Sequence, residues 1–227
     1  MTGVWAVLVA AGRGERFGAD RPKAFAKLGG RPLLAEPLER LEASEWIEAV
    51  VVVAPPDWEE PVILLAEELG AGKVTACVTG GDRRADSVRR GLAEVPEDAA
   101  VVLVHDAARP LLPAEVVERV VAALGDGWDG AVPALPVPDT LKRAGTDGAV
   151  TETVERENLY AAQTPQAFVG SKLREAMADE RANASDCAGV VEAAGGRVCV
   201  VEGDRRLVKV TTAADLELVE LLLSGDR

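Results

Sequence analysis

The sequence predicts an α/β protein: a Rossmann-like, mostly parallel sheet with helices on both faces, plus a protruding β-hairpin arm. Three observations carry this. Short β-branched runs alternate with longer amphipathic segments, the rhythm of βαβ units. The principal runs are apolar throughout, as strands buried on both faces are. One excursion, residues 137–157, breaks the rhythm with polar alternation, and a connection of about twenty residues is long for a compact domain.

Taken in order, Val4–Val9 reads as the first strand and runs directly into a glycine-rich loop. A helix follows over Pro32–Ala43, a strand over Ala49–Ala54 and a helix over Trp58–Leu69. Val74–Thr79 is a shorter strand, Ser87–Val95 a helix, Ala100–Val104 a strand and Pro113–Leu124 a helix. The excursion carries Pro136, Pro138, Gly145 and Gly148. It reads as two extended arms with a turn near Gly145–Gly148. Helices are predicted over Ser171–Ala178 and Asp186–Ala194, then strands over Val198–Val201 and Leu207–Thr211. The last helix, Ala213–Leu223, follows Thr212 with Asp215 three residues on, a capping arrangement.

Composition excludes several classes of function. The 227 residues are 48% hydrophobic, enough for a sizeable core, since a chain of this length buries roughly 70% of its unfolded surface. Lys plus Arg is 25 and Asp plus Glu 38, a net charge of −13. That disfavours nucleic acid or an anionic membrane as partner, because both require a basic footprint. A small phosphorylated ligand needs only a local cationic pocket. Cys77, Cys187 and Cys199 are odd in number and form no C-x-x-C pair, so neither a disulfide framework nor a zinc site is expected. The N-terminal apolar run is short, lacks a basic flank and ends in glycine. No signal peptide or membrane span is expected, and the predicted compartment is cytoplasmic.

The first loop places Gly12, Gly14 and Gly18 after a parallel strand, where backbone N–H groups can approach a phosphate. It lacks the Gly-Lys-Ser/Thr of a Walker loop. A dinucleotide fingerprint would need glycine where Phe17 stands and an acid where the second strand runs into Ala54-Pro55-Pro56; Pro22 also interrupts the helix that should follow. The loop holds four cations. Arg13 and Arg21 read as solvated charges, whereas Arg16 and Lys23 read as clamps on a polyphosphate. His105, the single histidine, stands at a strand end and reads as structural rather than as a general base. Asp86 or Ser87 reads either as an N-cap or as part of an anion site at a helix start. Lys209 lies in an apolar run, where a lysine is seldom buried without a partner.

Ala10-Ala11-Gly12-x-Gly14-x-Arg16 followed by Pro22-Lys23 resembles the signature of the sugar-phosphate nucleotidyltransferases. Further motifs narrow it: Gly80-Gly81-Asp82-Arg83-Arg84-Ala85-Asp86-Ser87, His105-Asp106-Ala107-Ala108-Arg109-Pro110, Asp139-Thr140-Leu141-Lys142 and Thr164-Pro165-Gln166. In this order they resemble the cytidylyltransferases that act on 2-C-methyl-D-erythritol 4-phosphate, from Val4 to the final helix. The resemblance implies one nucleotidyltransferase domain over residues 1–227, with a dimerisation and substrate arm at about 137–157. It implies transfer of a cytidylyl group from CTP, isoprenoid precursor synthesis by the non-mevalonate route, and a homodimer whose arms complete each other's pockets. Arg16 and Lys23 would stabilise charge at the α-phosphate, while Arg156, from the partner subunit, and Lys209 would position the attacking phosphate. Asp106, Arg109, Thr140, Thr164 and Ser185 would line the sugar pocket. Ala10, Ala11, Gly12, Gly14, Gly81, Asp82 and Ser87 would hold the nucleotide. Mg²⁺ would bridge phosphate oxygens, with Asp106 as a second contact. The family carries a threonine and two acids where this chain has Ser185-Asp186-Cys187; Cys187 cannot replace a carboxylate.

The residue types suit this chemistry. A phosphate monoester with a second pKa of about 6 is its own nucleophile, so no general base is required. The obstacle is anion–anion repulsion, about 4 kcal/mol per unit pair at about 4 Å and an effective dielectric near 20, which several cations must offset. Two other readings stand beside this one: a sister cytidylyltransferase acting on ribitol 5-phosphate or another sugar phosphate, and a non-catalytic nucleotide-binding regulator.

Overall fold

The computed structural model describes residues 3–12, 21–179 and 184–225. Strand β1 (Val4–Val9) is followed by the short antiparallel pair β2 (Lys27–Leu28) and β3 (Arg31–Pro32), then α1 (Ala35–Ala43) and β4 (Ile47–Ala54). Next come α2 (Glu59–Glu68), β5 (Val74–Thr79), α3 (Arg84–Ala93), β6 (Val101–Asp106), α4 (Ala114–Gly125) and β7 (Gly130–Pro136). The arm is β8 (Leu141–Ala144) and β9 (Val150–Val154). The chain continues through β10 (Tyr160–Ala162), β11 (Gln166–Val169), α5 (Gly170–Met177), α6 (Cys187–Ala193), β12 (Val198–Glu202) and α7 (Ala213–Gly225).

Eight of these strands form one sheet, in the order β10-β7-β11-β6-β1-β4-β5 with β12 beside β7. Strands β6, β1, β4 and β5 run parallel, while β11 and β10 run antiparallel to their neighbours. The parallel strands are apolar on both faces because helices cover both. Ala6, Leu8, Val50 and Val52 pack with Leu38 of α1, Val62 of α2 and Val116 of α4. Val7, Val51, Val53 and Val104 pack with Val88 of α3, Leu173 of α5 and Val190 of α6 on the other face. The alternation follows the two-residue period of a strand.

The arm matches its expectation. Strands β8 and β9 pair antiparallel outside the main sheet, and the turn between them places Gly148 at a positive φ of 81°. One expected strand does not form. Residues 207–211 are irregular, because the segment crosses the strand ends instead of pairing along an edge. Its backbone is anchored by a turn (Leu207 N to Asp204 O, 3.1 Å) and by a bond from Val210 N to Ala108 O (2.8 Å). Leu207 and Val210 are fully buried, and Val210 joins Leu28, Leu33, Leu111, Val219 and Leu223 in a small core that fixes α7.

Candidate active site at the strand ends

The parallel strands end side by side: Val9 is in register with Val53 of β4 and with Asp106 of β6. In an open α/β sheet the ligand crevice lies at these carboxyl ends. Here they open onto a cavity of about 650 Å³. Ala10, Ala11 and Gly12 form one wall, Gly81, Asp82 and Ser87 a second, and Lys23, Asp106 and Lys209 a third. Nine of the expected site residues therefore share one cavity. Gly14 and Arg16 lie outside the described residues.

Local chemistry explains each wall. Gly80 N donates to Ala54 O (2.8 Å), and a Cβ at Gly80 would collide with the Ala11 side chain, so the two loops approach as closely as glycine permits. Helix α3 begins at Arg84, three residues earlier than its apolar period indicates. Neither Asp86 nor Ser87 is the N-cap: Asp86, the third helical residue, bonds back to Arg83 N at 3.2 Å, and Ser87 Oγ accepts Gly81 N at 3.1 Å. Ser87 thus shapes the Gly80–Gly81 turn from within the helix. On the third wall, Lys23 Nζ donates to Val210 O at 2.9 Å, which sets it beside the residue that follows Lys209.

Asp106 is the centre of the electrostatics. Its Oδ1 accepts Arg84 Nε at 3.0 Å, with Arg84 Nη2 at 2.9 Å. Its Oδ2 accepts Lys209 Nζ at 2.7 Å. Burial alone would raise this carboxyl, but Arg84 and then Lys209 outweigh it and hold it well below the usual carboxylate range. With both oxygens so engaged, Asp106 does not fit the second magnesium contact expected of it. Among the described residues no three His, Cys, Asp or Glu side chains converge into a metal cage.

His105 points the other way. It is fully buried, with Nε2 3.0 Å from Arg109 O and Nδ1 3.1 Å from Thr164 Oγ1. Burial pushes its pKa down to about 4 against the raising effect of Asp106. It is a satisfied core histidine, as its position indicated.

The expected sugar-pocket residues divide. Thr164 is 4% exposed and lies behind the wall, where Oγ1 accepts Asp106 N at 3.1 Å; it orients Asp106 and is not part of the cavity lining. Arg109 is tied to main-chain carbonyls, Leu207 O at 2.5 Å and Ala162 O at 3.2 Å, so its guanidinium braces the Lys209 segment. Ser185 is exposed just before α6. Thr140 and Arg156 are exposed on the arm, away from the lining of this chain's own cavity.

Sequence reasoning passed over three residues. Gln163 Nε2 donates to Asp204 O at 2.8 Å and its Oε1 accepts Asp204 N at 3.0 Å, which clasps the loop leading to Lys209. Gln166 Nε2 donates to Asp186 Oδ2 at 2.6 Å and its Oε1 accepts Ala188 N at 3.2 Å, which clasps the start of α6. Arg84 is the third. The signal for the glutamines was two amides flanking a proline next to a strand; nothing in the Arg83-Arg84 pair marked which arginine turns inward.

The comparisons agree with this geometry. The family model described as IspD, 2-C-methyl-D-erythritol 4-phosphate cytidylyltransferase, matches residues 4–225. A 2-C-methyl-D-erythritol 4-phosphate cytidylyltransferase from Frankia casuarinae is 47% identical over 221 residues, covering 97% of this chain and 81% of its own. One from Nocardia farcinica is 44% identical over 220 residues, covering 97% and 94%. The crystal structure of the enzyme so described from Thermus thermophilus has a TM-score of 0.78 at 37% identity, covering 99% of this chain and all of that one. With the strand-end cavity, its lysines and the arm all in the order that the motifs require, the chain belongs to the 2-C-methyl-D-erythritol 4-phosphate cytidylyltransferase family.

Proposed function

We propose that the strand-end cavity brings two anionic reactants together under the charges of Lys23 and Lys209. As a family member the chain transfers the cytidylyl group of CTP to 2-C-methyl-D-erythritol 4-phosphate and releases pyrophosphate. A sugar-phosphate oxygen forms a bond to the α-phosphorus, and the bond from that phosphorus to the bridging oxygen of pyrophosphate breaks. The dianionic nucleophile carries no proton to remove, in keeping with a histidine whose two ring nitrogens are both engaged away from the cavity.

The observation that carries this reading is the Lys23 Nζ bond to Val210 O, which brings the first-loop lysine and the Lys209 segment, nearly the whole chain apart, to one wall. Lys23 faces the triphosphate and stabilises charge as the α-phosphorus is attacked, the task that the family resemblance also gives to Arg16. Lys209 holds the incoming sugar phosphate. Ala10, Ala11, Gly12, Gly81, Asp82 and Ser87 hold the nucleotide through backbone groups and small side chains. Mg²⁺ would be held mainly by the phosphate oxygens of the bound nucleotide, where it would supply further positive charge.

Thr140 and Arg156 belong to a second copy's site. Each is exposed on an arm that this chain's own cavity does not use, which supports the reading that the arm of a partner subunit completes the sugar pocket. Mixing an Arg156→Ala variant with a Lys209→Gln variant tests this. In a mixed dimer one site carries both changes and the other neither, so equal mixing restores about a quarter of native turnover. No recovery would place Arg156 in its own chain's site, and native turnover by Arg156→Ala alone would place it outside the chemistry.

The activity is checked by pyrophosphate release from CTP with 2-C-methyl-D-erythritol 4-phosphate and, separately, with ribitol 5-phosphate. Turnover is expected with the first. Turnover with ribitol 5-phosphate alone would move the chain to the sister activity, and none with either would leave a nucleotide-binding protein.

A further inference from the structure

Arg84 is a cation that the reaction above leaves without a task. It opens α3, and its side chain is 25% exposed. Nε and Nη2 both converge on Asp106 Oδ1, while Nη1 approaches Cys187 Sγ at 3.4 Å. That thiol remains neutral near pH 7, because burial pushes its ionisation up to about 11. Among the described residues, Asp106 is therefore the carboxylate with which Arg84 forms its ion pair.

The charges of the trio can be counted. Arg84 and Lys209 contribute two positive charges and Asp106 one negative, leaving one positive charge in addition to that of Lys23 on the same wall. Without Arg84, Asp106 would cancel Lys209, and an arriving phosphate dianion would meet no net charge from the pair. The carboxylate would also be free to turn fully toward the Lys209 ammonium. Lys209, 42% exposed at its side chain, is the member of the trio with room to engage a ligand.

We propose that Arg84 is a positioning residue for the sugar phosphate: by occupying one oxygen of Asp106, it offsets that carboxylate and leaves the Lys209 ammonium aimed into the cavity with its charge uncancelled. This rests on the reading of Lys209 as the anchor of the sugar phosphate. It gives a job to the geometry at Cys187 as well, since a neutral partner there leaves the guanidinium's charge to Asp106.

The test is a double-mutant cycle in steady-state kinetics, with KM measured separately for CTP and for 2-C-methyl-D-erythritol 4-phosphate. Arg84→Gln is expected to raise KM for the sugar phosphate about tenfold or more, with KM for CTP within about twofold. Arg84→Lys, which keeps the charge but loses the fork, is expected to raise it only about threefold. In a Lys209→Gln background both increases should shrink to less than about twofold, because the group through which Arg84 acts is gone. If Arg84→Gln fails to fold, the Arg84→Lys pair carries the same comparison. Equal increases in both backgrounds, or equal damage to the two substrates, would make Arg84 a strut between α3 and β6 and overturn the proposal. An unchanged sugar-phosphate KM in Lys209→Gln alone would instead remove the reading of Lys209.

Discussion

Asp106 at the cavity meets Arg84 and Lys209, residues 22 and 103 positions away in sequence. Arg143 on the arm meets Glu152 across its own hairpin, with side chains 66% and 53% exposed. Both are ion pairs, yet they act on different scales. The Asp106 carboxylate is nearly enclosed, so its partners do not compete with water. Removing one side of such a pair strands the other in a poor solvent, at a cost of about 3–5 kcal/mol when fully buried. The arm pair is screened on all sides and is worth about 1 kcal/mol at most. The cavity stores its charge in contacts that fold the chain, while the arm carries its charge in the open, where water screens it.

The sharpest way to break this contrast is at Lys23. Lys23→Ala is expected to lower kcat by roughly 10²–10³, by analogy with loss of an oxyanion donor, with thermal unfolding almost unmoved. Near-native turnover would remove Lys23 from the chemistry.

Asp106→Ala should instead show in stability. Arg84 would keep its burial and lose its carboxylate, and about 3 kcal/mol is expected in urea unfolding, the partial exposure of Lys209 holding it at the lower end. A loss below about 1 kcal/mol would mean that the trio behaves like the arm.

Between these lies a pH effect from His105. Its folded pKa of about 4 is below the ordinary value of 6.5, so the unfolded chain takes up a proton that the folded chain refuses. Stability is full above about pH 6.5 and is lost as pH falls toward about 4. Asp106, held low by Arg84 and Lys209, adds its own loss only below its unfolded value of 3.8. The urea midpoint should therefore fall between about pH 7 and about pH 4.5; a flat midpoint would show that His105 titrates normally.

The smallest effect belongs to the arm. Arg143→Ala should change unfolding free energy by less than about 0.5 kcal/mol. A larger loss would mean that the hairpin is held more tightly than its exposure indicates.

Legibility in the sequence divides along a similar line. Strands β1, β4 and β6 were readable because each holds a continuous apolar run, the pattern that double-sided burial demands; β5, an edge strand interrupted by Thr75 and Thr79, was readable only as a shorter run. Helix α3 was readable by period but not by start, since its first turn is set by the Asp86 bond to Arg83 N rather than by an apolar position. Strands β7, β10 and β11 escaped. Pro133 and Pro136 lie within β7, and β10 spans only three residues. Such strands are specified by neighbours already in place, which local propensity does not record. In the site, the motifs identified Lys23, Asp106 and Lys209 as one group. They did not separate residues that face the cavity from those that stand behind it: Arg109, in the same motif as Asp106, and Thr164, in the Thr-Pro-Gln motif, spend their polar atoms on the protein itself.

The two glutamine clasps sit three residues apart on one short stretch, Gln163 gripping the Asp204 loop and Gln166 gripping the head of α6. The loop that leads to Lys209 and the helix whose Cys187 meets Arg84 are thereby bolted to a single bracket, so an injury to either bolt should be felt at both.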